Sequence, residues 1–149
     1  MKRPFKKGRG RWPSTPTERT SRYGMALMYG GKAEEAIPFI EKGIRLNPYG
    51  PIWYYQNAGL AHLFSGQHEK ALAYFKQAHR HSPQSPPVHR SLAVTYALLE
   101  RQEEARTEAE EVMRLVPNFS VERFGRILPW HPTYSEIFVN GLRKAGLPD

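Results

Sequence analysis

A spacing of 34 to 35 residues recurs along this chain and restricts the folds open to it more than any other feature of the sequence. It is carried by one series of alanines and one of prolines, namely Ala36, Ala71 and Ala105, and Pro48, Pro83 and Pro117. Agreement of two residue types over three copies indicates a repeat protein, in which each unit packs against the next. With 149 residues, the chain has the length of one domain.

The start and stop signals of each copy predict two helices and no strand. Apolar residues recur at three- and four-residue spacing, and no stretch alternates as a half-buried strand does. The run TPTE, which begins at Thr15, fits a capping box with proline at the first helical position. Gly50-Pro51 and Ser85-Pro86 each predict a cap followed by such a proline, and the proline that ends each copy closes its second helix. The predicted fold class is therefore all-α.

Small residues stand where the two helices of each copy are expected to cross. Gly59 lies inside a helical stretch, where glycine costs roughly 1 kcal/mol relative to alanine, so it needs a packing reason. The predicted repeat-packing residues are Gly24, Gly59 and Ala93 on the first helices, and Ala36, Ala71 and Ala105 on the second helices. Any larger side chain at these positions would push the two helices apart.

The aligned copies resemble the tetratricopeptide repeat, whose period is about 34 residues. The middle copy carries the pattern most fully, with Tyr55, Ala58, Gly59, His62, Ala71, Phe75, Ala78 and Pro83. The first copy departs from it at Thr20, where the repeat has an aromatic residue. The resemblance covers about residues 17–118 and implies a right-handed α-solenoid of three helical hairpins, at about residues 17–50, 52–84 and 86–118.

Residues 120–146 no longer follow the repeat but keep a helical pattern. The run TYSE, which begins at Thr133, fits a second capping box. The apolar residues behind it share one helix face and are Tyr134, Ile137, Phe138, Leu142 and Ala145. Because the last hydrophobic face of a solenoid needs a cover, this segment is expected to form a capping pair of helices.

The C-terminal segment also resembles the tail of tetratricopeptide repeat regions in bacterial proteins related to class III adenylate and guanylate cyclases. The matching residues are Pro117 to Ser120, Leu128 to Trp130, and Gly141 to Asp149. The sequence lacks the cyclase domain and the metal-binding aspartates that such a domain requires. The resemblance therefore implies a non-catalytic bacterial signalling module, or the detached regulatory part of a cyclase system.

The tetratricopeptide resemblance implies a partner-binding groove along the first helices of the repeats. The predicted lining is Arg22, Met25, Met28, Tyr29, Trp53, Gln56, Asn57, Leu60, Leu63, Phe64, Arg90, Ser91, Val94 and Leu98. Such a mixture suits an extended peptide or a helix, and Trp53 and Gln56 are the preferred contact residues. The alternative is that several of these residues pack against neighbouring repeats or the capping helices. The carboxylate clamp of chaperone-binding members is not expected, since only Asn57 fits it.

The net charge of +8 is concentrated at the N-terminus. Residues 1–17 contain six of the 22 lysines and arginines, no acid and no apolar period. Residues 1–14 are therefore expected to form a disordered basic tail, and residues 15–149 the folded domain. Such a tail can contact nucleic acid or an anionic membrane surface, but a solubilising extension is the simpler interpretation, and a nucleic-acid partner is not expected.

Composition argues against an enzyme, a cofactor and a metal. The chain has no cysteine and a single aspartate, Asp149, so thiolate sites and aspartate-dependent chemistry lack their residues. The six histidines show no ligand spacing, and the glutamates of residues 100–111 are interleaved with arginines as on a solvated helix face. Without a membrane-length apolar run or a secretory leader, a cytoplasmic location is expected. The expected partner is a protein or peptide, with a homo-oligomer as an open alternative.

Overall fold

The computed structural model describes residues 15–149, and the predicted basic tail at residues 1–14 lies outside this range. The described residues form eight α-helices and no strand, which confirms the all-α class. The helices are α1 (Pro16–Tyr29), α2 (Ala33–Leu46), α3 (Ile52–Phe64), α4 (His68–His81), α5 (Pro86–Leu98), α6 (Gln102–Leu115), α7 (Val121–Arg126) and α8 (Pro132–Ala145). None of them is long and apolar enough to cross a membrane.

The first six helices form three helical hairpins, and each hairpin stacks against the next. We call α1, α3 and α5 the A helices, and α2, α4 and α6 the B helices. The turn inside each hairpin contains one residue with positive φ, a conformation that favours glycine. Gly31 (φ 89°) and Gly66 (φ 81°) supply it in the first two turns, whereas Glu100 (φ 61°) supplies it in the third. The fold is thus the predicted α-solenoid of three hairpins, followed by a pair of helices.

The starts of the hairpins follow the predicted caps with one correction. The Thr15 hydroxyl accepts a hydrogen bond from the Glu18 N–H at 3.1 Å. Ser85 is the cap of α5, and Pro86 is its first residue. Pro51, however, is itself the cap of α3 rather than its first residue, because its ψ of 151° is extended.

Helix α8 also begins earlier than its predicted capping box. Its first residue is Pro132, whose fixed φ suits that position, and its cap is His131 rather than Thr133. The His131 Nδ1 accepts a hydrogen bond from the Thr133 N–H at 3.2 Å. The imidazole of His131 therefore caps α8, where the prediction was the hydroxyl of Thr133.

Close crossing of the two helices explains the buried glycines of the hairpins. A methyl group built on Gly59 would lie 2.6 Å from the Phe75 Cδ1, well inside van der Waals contact. One built on Gly24 would lie 2.7 Å from the Ile40 Cγ1. The alanines of the repeat-packing set are fully buried and are Ala36, Ala71, Ala93 and Ala105. Small residues at these positions allow each A helix to approach its B helix.

One carboxylate joins the first repeat to both helices of the second. The Tyr74 hydroxyl of α4 donates a hydrogen bond to the Glu41 Oε2 of α2 at 2.9 Å, and the His62 Nε2 of α3 lies 3.0 Å from the same oxygen. Burial raises the pKa of Tyr74 to about 12, with a further contribution from the hydrogen bond to Glu41. His62 is buried and stacks on the Tyr74 ring with centroids 5.3 Å apart, which makes it a structural histidine.

The repeat position that Tyr55 occupies connects an A helix to the loop before it through a hydrogen bond. The Tyr55 hydroxyl donates to the Pro48 carbonyl oxygen at 2.7 Å. At the same position of the third repeat, the His89 Nε2 lies 2.7 Å from the Pro83 carbonyl oxygen, and its Nδ1 lies 2.6 Å from the Glu108 Oε1. Glu108 therefore belongs to a buried contact, unlike the exposed glutamates around it.

The C-terminal helices do more than cover the end of the solenoid. Helix α8 packs mainly against α5, with a smaller contact to α6. Its first turn reaches the first repeat, where the Tyr134 hydroxyl accepts a hydrogen bond from the Ala33 N–H at 2.9 Å. Its last turn is held to the third repeat by the ion pair of Lys144 and Glu100 at 2.6 Å. Helix α8 thus packs on the third repeat and reaches the start of α2 in the first repeat with its first turn.

Candidate partner-binding surface

Burial divides the predicted groove residues into two equal groups. The buried ones are Met28, Asn57, Leu60, Leu63, Phe64, Ser91 and Val94. A partner cannot reach these side chains in this structure, so they belong to the core rather than to an open groove. The accessible ones, at least in part, are Arg22, Met25, Tyr29, Trp53, Gln56, Arg90 and Leu98. The accessible group remains the predicted contact surface.

Helix α8 and the segment before it cover the C-terminal end of α3 and part of α5. The Phe64 ring stacks on the Tyr134 ring, with centroids 4.5 Å apart and an angle of 2° between the planes. Trp130 meets the edge of Phe64 at 5.3 Å. On α5, a methyl group built on Gly141 would lie 2.6 Å from the Val94 Cγ1, so α8 approaches α5 closely at that point. The alternative considered from the sequence, packing against the capping helices, therefore applies to this half of the groove.

Helix α7 partly covers the N-terminal half of α5. The Arg90 guanidinium carbon lies 4.5 Å from the centroid of the Phe124 ring and 5.8 Å from that of Phe119. Burial lowers the pKa of Arg90 to about 10, because removal from water disfavours the charged form. No hydrogen-bond or ion-pair partner of Arg90 is found among residues 15–149. Within residues 15–149, the guanidinium is placed against the faces of two aromatic rings, which attract a cation through their quadrupole.

The uncovered part of the surface includes the N-terminal halves of α1 and α3, and Tyr29 at the end of α1 is also exposed. The uncovered part contains a cleft of about 470 Å³, lined by Thr15, Thr17, Glu18, Arg22, Leu46, Asn47, Pro51, Trp53 and Tyr54. Trp53 is 38% exposed, and its ring meets that of Tyr54 edge to face at 4.5 Å. Of these nine residues, only Arg22 and Trp53 were in the predicted set. Leu46 and Asn47 were missed because that set considered the A helices alone, whereas Thr17, Glu18 and Tyr54 lie on A helices and were given no contact role. The place of Leu46 and Asn47 just before the proline that closes α2 was the signal that could have included them.

Gln56 lies beside this cleft and makes the contact between the second and third A helices. Its Nε2 donates to the Ser91 Oγ at 2.6 Å and reaches the Pro87 carbonyl oxygen at 3.4 Å. Its Oε1 is buried without a hydrogen-bond partner. Because this oxygen is closed to solvent, a partner cannot reach it in this structure, and the Gln56 amide acts here as a contact between α3 and α5.

The described residues offer no metal centre. Residues 15–149 contain no group of three or more histidine and acidic side chains that could hold a metal ion. The two buried histidines, His62 and His89, make the structural contacts described above. The uncovered surface presents an aromatic ring, an amide and a guanidinium, from Trp53, Gln56 and Arg22.

Comparison with known proteins agrees with the repeat. Two family models described as the tetratricopeptide repeat match residues 21–49 and 62–123, which together make up more than half of the chain. A search of curated protein sequences finds no match. Among solved structures, the Arabidopsis OM64 TPR domain aligns with a TM-score of 0.66 at 20% sequence identity, over 86% of this chain and 94% of that one.

Two other similar structures contain a bound segment. The first TPR of Spaghetti (RPAP3) bound to the HSP90 peptide SRMEEVD aligns at 22% identity with a TM-score of 0.63, over 69% of this chain and 83% of that one. PcrH in complex with the chaperone binding region of PopB aligns at 15% identity with a TM-score of 0.65, over 91% of this chain and 99% of that one. PcrH comes from Pseudomonas aeruginosa. At these identities the likeness shows the fold alone.

Proposed function

This chain is a tetratricopeptide repeat protein, and we propose that it is a non-catalytic scaffold that holds a peptide segment of a protein partner. The proposed contact surface is the uncovered N-terminal part of the A helices. The observation that carries the proposal is the position of Trp53, a large ring that is 38% exposed at the edge of a cleft of about 470 Å³. Tryptophan in such a position is a typical anchor of a protein interface.

Two groups near Trp53, Gln56 and Arg22, suit contact with an extended peptide. Gln56 lies one helical turn after Trp53 and is partly exposed, so its side chain borders the surface that Trp53 presents. Arg22 is exposed and forms no ion pair with the described residues, so it can pair with an acidic side chain or a carbonyl oxygen. The bound segments in the structures of RPAP3 and PcrH support a peptide as the kind of ligand that this fold accepts.

The test is a selection of random peptides displayed on phage against the immobilised chain, followed by affinity measurements on synthetic copies of the enriched peptides. Trp53→Ala and Gln56→Ala are the test variants. Tyr49→Ala is the matched control, because Tyr49 is 94% exposed and lies outside the proposed surface. Circular dichroism establishes that all variants keep the helical fold.

We expect Trp53→Ala to weaken peptide binding by about tenfold or more, as the loss of an interface anchor does. Gln56→Ala should weaken it less, and Tyr49→Ala should leave it unchanged. If both test variants bind the enriched peptides as tightly as the wild type, the partner does not use this surface. A selection that enriches no peptide would count against the proposed function itself.

A finer proposal is that the partner belongs to bacterial cytoplasmic signalling, with a nucleotide cyclase as one candidate. It rests on the resemblance of residues 117–149 to the tails of cyclase-related proteins. A cyclase frame beside this one in the source DNA would supply the candidate to test. Cyclase activity that is unchanged by addition of the wild-type chain would end this version of the proposal, whatever the outcome for peptides.

A second candidate function is nucleic-acid binding through the basic residues of the N-terminus. The six cations within residues 1–17 favour it. The proposal predicts retention of the chain on immobilised DNA that weakens as salt is added and vanishes when residues 1–13 are deleted. No retention at low salt would exclude it.

A further inference from the structure

The outer side of the first repeat carries apolar side chains that no other described residue covers. We define the first-repeat face as Tyr23, Ala26 and Leu27 of α1 together with Phe39 of α2. Tyr23 is 54% exposed and Phe39 is 37% exposed, and their rings meet edge to face at 4.7 Å. Ala26 is exposed between them and Leu27 is partly buried.

The matching positions of the other two repeats are buried. The counterparts of Tyr23, Ala26 and Leu27 are Ala58, Ala61 and His62 in the second repeat, and Leu92, Thr95 and Tyr96 in the third. On α3 this stripe faces the B helix of the preceding repeat, because the His62 Nε2 lies 3.0 Å from Glu41 of α2. The first-repeat face is thus a stacking face of the solenoid whose neighbour is not among residues 15–149.

The B helix at the other end of the solenoid is a poor match for this face. Helix α2 faces the second repeat through Ile37, Glu41 and Ile44. The residues at the same positions of α6 are Arg106, Glu110 and Met113. They border an open cleft of about 460 Å³. Head-to-tail stacking of two copies would bury the charges of Arg106 and Glu110 against apolar side chains, which is costly without partners.

Two copies of the first-repeat face are more complementary in polarity and in charge than this face and α6 are. A two-fold axis near Phe39 would place apolar side chains against apolar side chains and would run the two α2 helices antiparallel. Glu35 and Lys42 lie one turn before and one turn after Phe39 on the same side of α2, and both are exposed. Neither forms an ion pair with the described residues. In the antiparallel arrangement each Glu35 lies opposite Lys42 of the other copy.

We propose that the first-repeat face binds the same face of a second copy of this chain, giving a two-fold symmetric dimer. The dimer supplies both faces with the stacking neighbour that the second and third repeats have within the chain. Closed two-fold pairs are the commonest form of homo-oligomer, because one self-complementary patch serves both subunits. Ala26 lets the two α1 helices approach closely, and the two Glu35–Lys42 pairs set their register.

The test is sedimentation equilibrium of the full chain over a wide range of concentration. The mass of one chain is 17.2 kDa, and the proposal predicts a rise toward twice this value. Tyr23→Glu places a charge in the contact and should hold the protein at the mass of one chain. Met113→Glu on α6 and Tyr49→Glu on the exposed loop are matched controls and should dimerise like the wild type.

A charge exchange tests the two-fold geometry directly. Glu35→Lys alone and Lys42→Glu alone each place like charges opposite each other, so each should dimerise about tenfold or more less tightly than the wild type. A mixture of the two variants restores opposite charges at both contacts and should regain the wild-type affinity. All these positions are exposed or half-buried, and circular dichroism monitors the fold of every variant.

Three outcomes would overturn the proposal. The wild-type chain could keep the mass of one copy at every concentration. Tyr23→Glu and Met113→Glu could each be monomeric but pair when mixed, which would show head-to-tail stacking. Deletion of residues 2–14 could create a dimer that the full chain lacks, which would identify the N-terminal segment as the occupant of the face. Each outcome is independent of Trp53 and of peptide binding.

Discussion

The hydroxyl of Tyr134 accepts a hydrogen bond from the backbone N–H of Ala33 at 2.9 Å, although 101 residues separate the two along the chain. Ala33 is the first residue of α2, so its N–H has no partner within the helix. The cap residue Lys32 provides no side-chain hydrogen bond to α2. The last helix of the chain therefore caps the second.

Removal of this hydroxyl should weaken both the cap and the attachment of α8. We expect Tyr134→Phe to lower the free energy of unfolding by about 1 kcal/mol, because it leaves the buried Ala33 N–H unpaired but keeps the stacked ring. Tyr134→Ala also removes the ring from Phe64 and should cost about 3–5 kcal/mol. Urea unfolding measures both. Tyr49→Phe is the control, and slow hydrogen exchange of the Ala33 amide in Tyr134→Phe would contradict the prediction.

Overpacking at Gly59 should separate α3 from α4. Gly59→Ala places a methyl group against the fully buried Phe75, and we expect a loss of about 1–3 kcal/mol despite the better helix propensity of alanine. Gly59→Leu should cost several kcal/mol. Because the clash is with one ring, Gly59→Ala combined with Phe75→Leu should lose less stability than the sum of the two single changes. An unchanged melting temperature for Gly59→Leu would contradict the repeat alignment.

The turn of the third hairpin should improve with glycine. Glu100 has a φ of 61°, which costs an L-residue about 1–2 kcal/mol, whereas the first two turns use Gly31 and Gly66. Glycine removes this cost, but it also adds chain entropy to the unfolded state, which offsets part of the gain. We therefore expect Glu100→Gly to be more stable than Glu100→Gln by about 0.5–1 kcal/mol. Both variants lose the exposed ion pair with Lys144. The difference between their thermal unfolding therefore measures the backbone effect at this position. Equal stabilities would show that the turn is not strained.

The stability contributed by Tyr74 should disappear in alkali. Burial and the hydrogen bond to Glu41 raise the pKa of Tyr74 from 10.0 to about 12 in the folded chain. The contribution is therefore complete below pH about 10 and is lost as the pH rises from 10 through 12, where the unfolded state releases its proton first. Tyr74→Phe should be less stable than the wild type at neutral pH, with a difference that shrinks over this interval. Denaturant unfolding at a series of pH values measures it, and a constant difference would contradict the assignment.

The architecture could be predicted from the sequence because its determinants recur and act locally. The crossing of α3 and α4 requires a residue as small as Gly59 opposite Phe75, and each B helix must end before a proline. These requirements repeat at every copy and appear directly as a period. The positive φ of the turn at Glu100 could not be predicted in this way, because the surrounding hairpin imposes it on a residue type that does not favour it.

The candidate surface was predictable only in part, because its cover comes from a distant part of the chain. The apolar stripe that contains Tyr134 identified α8 as amphipathic, but periodicity does not specify which surface such a helix covers. Its path is fixed by pairs such as Tyr134 with Phe64 and Gly141 with Val94, which lie far apart in sequence. Trp53 and Arg22 lie beyond the reach of α8 and stay accessible, so they remain in the proposed surface.

The path of α8 also has a consequence for how the molecule unfolds. In a linear stack of repeats, each unit contacts only its neighbours, so a terminal repeat can open without the others. Here the first repeat is bonded to the last helix, and α8 is packed on α5, so opening one end disturbs the other. Contacts that span most of the chain make folding slower and more cooperative than a stack of hairpins alone would be. The three repeats and α8 are thus expected to unfold together, as one globular domain does.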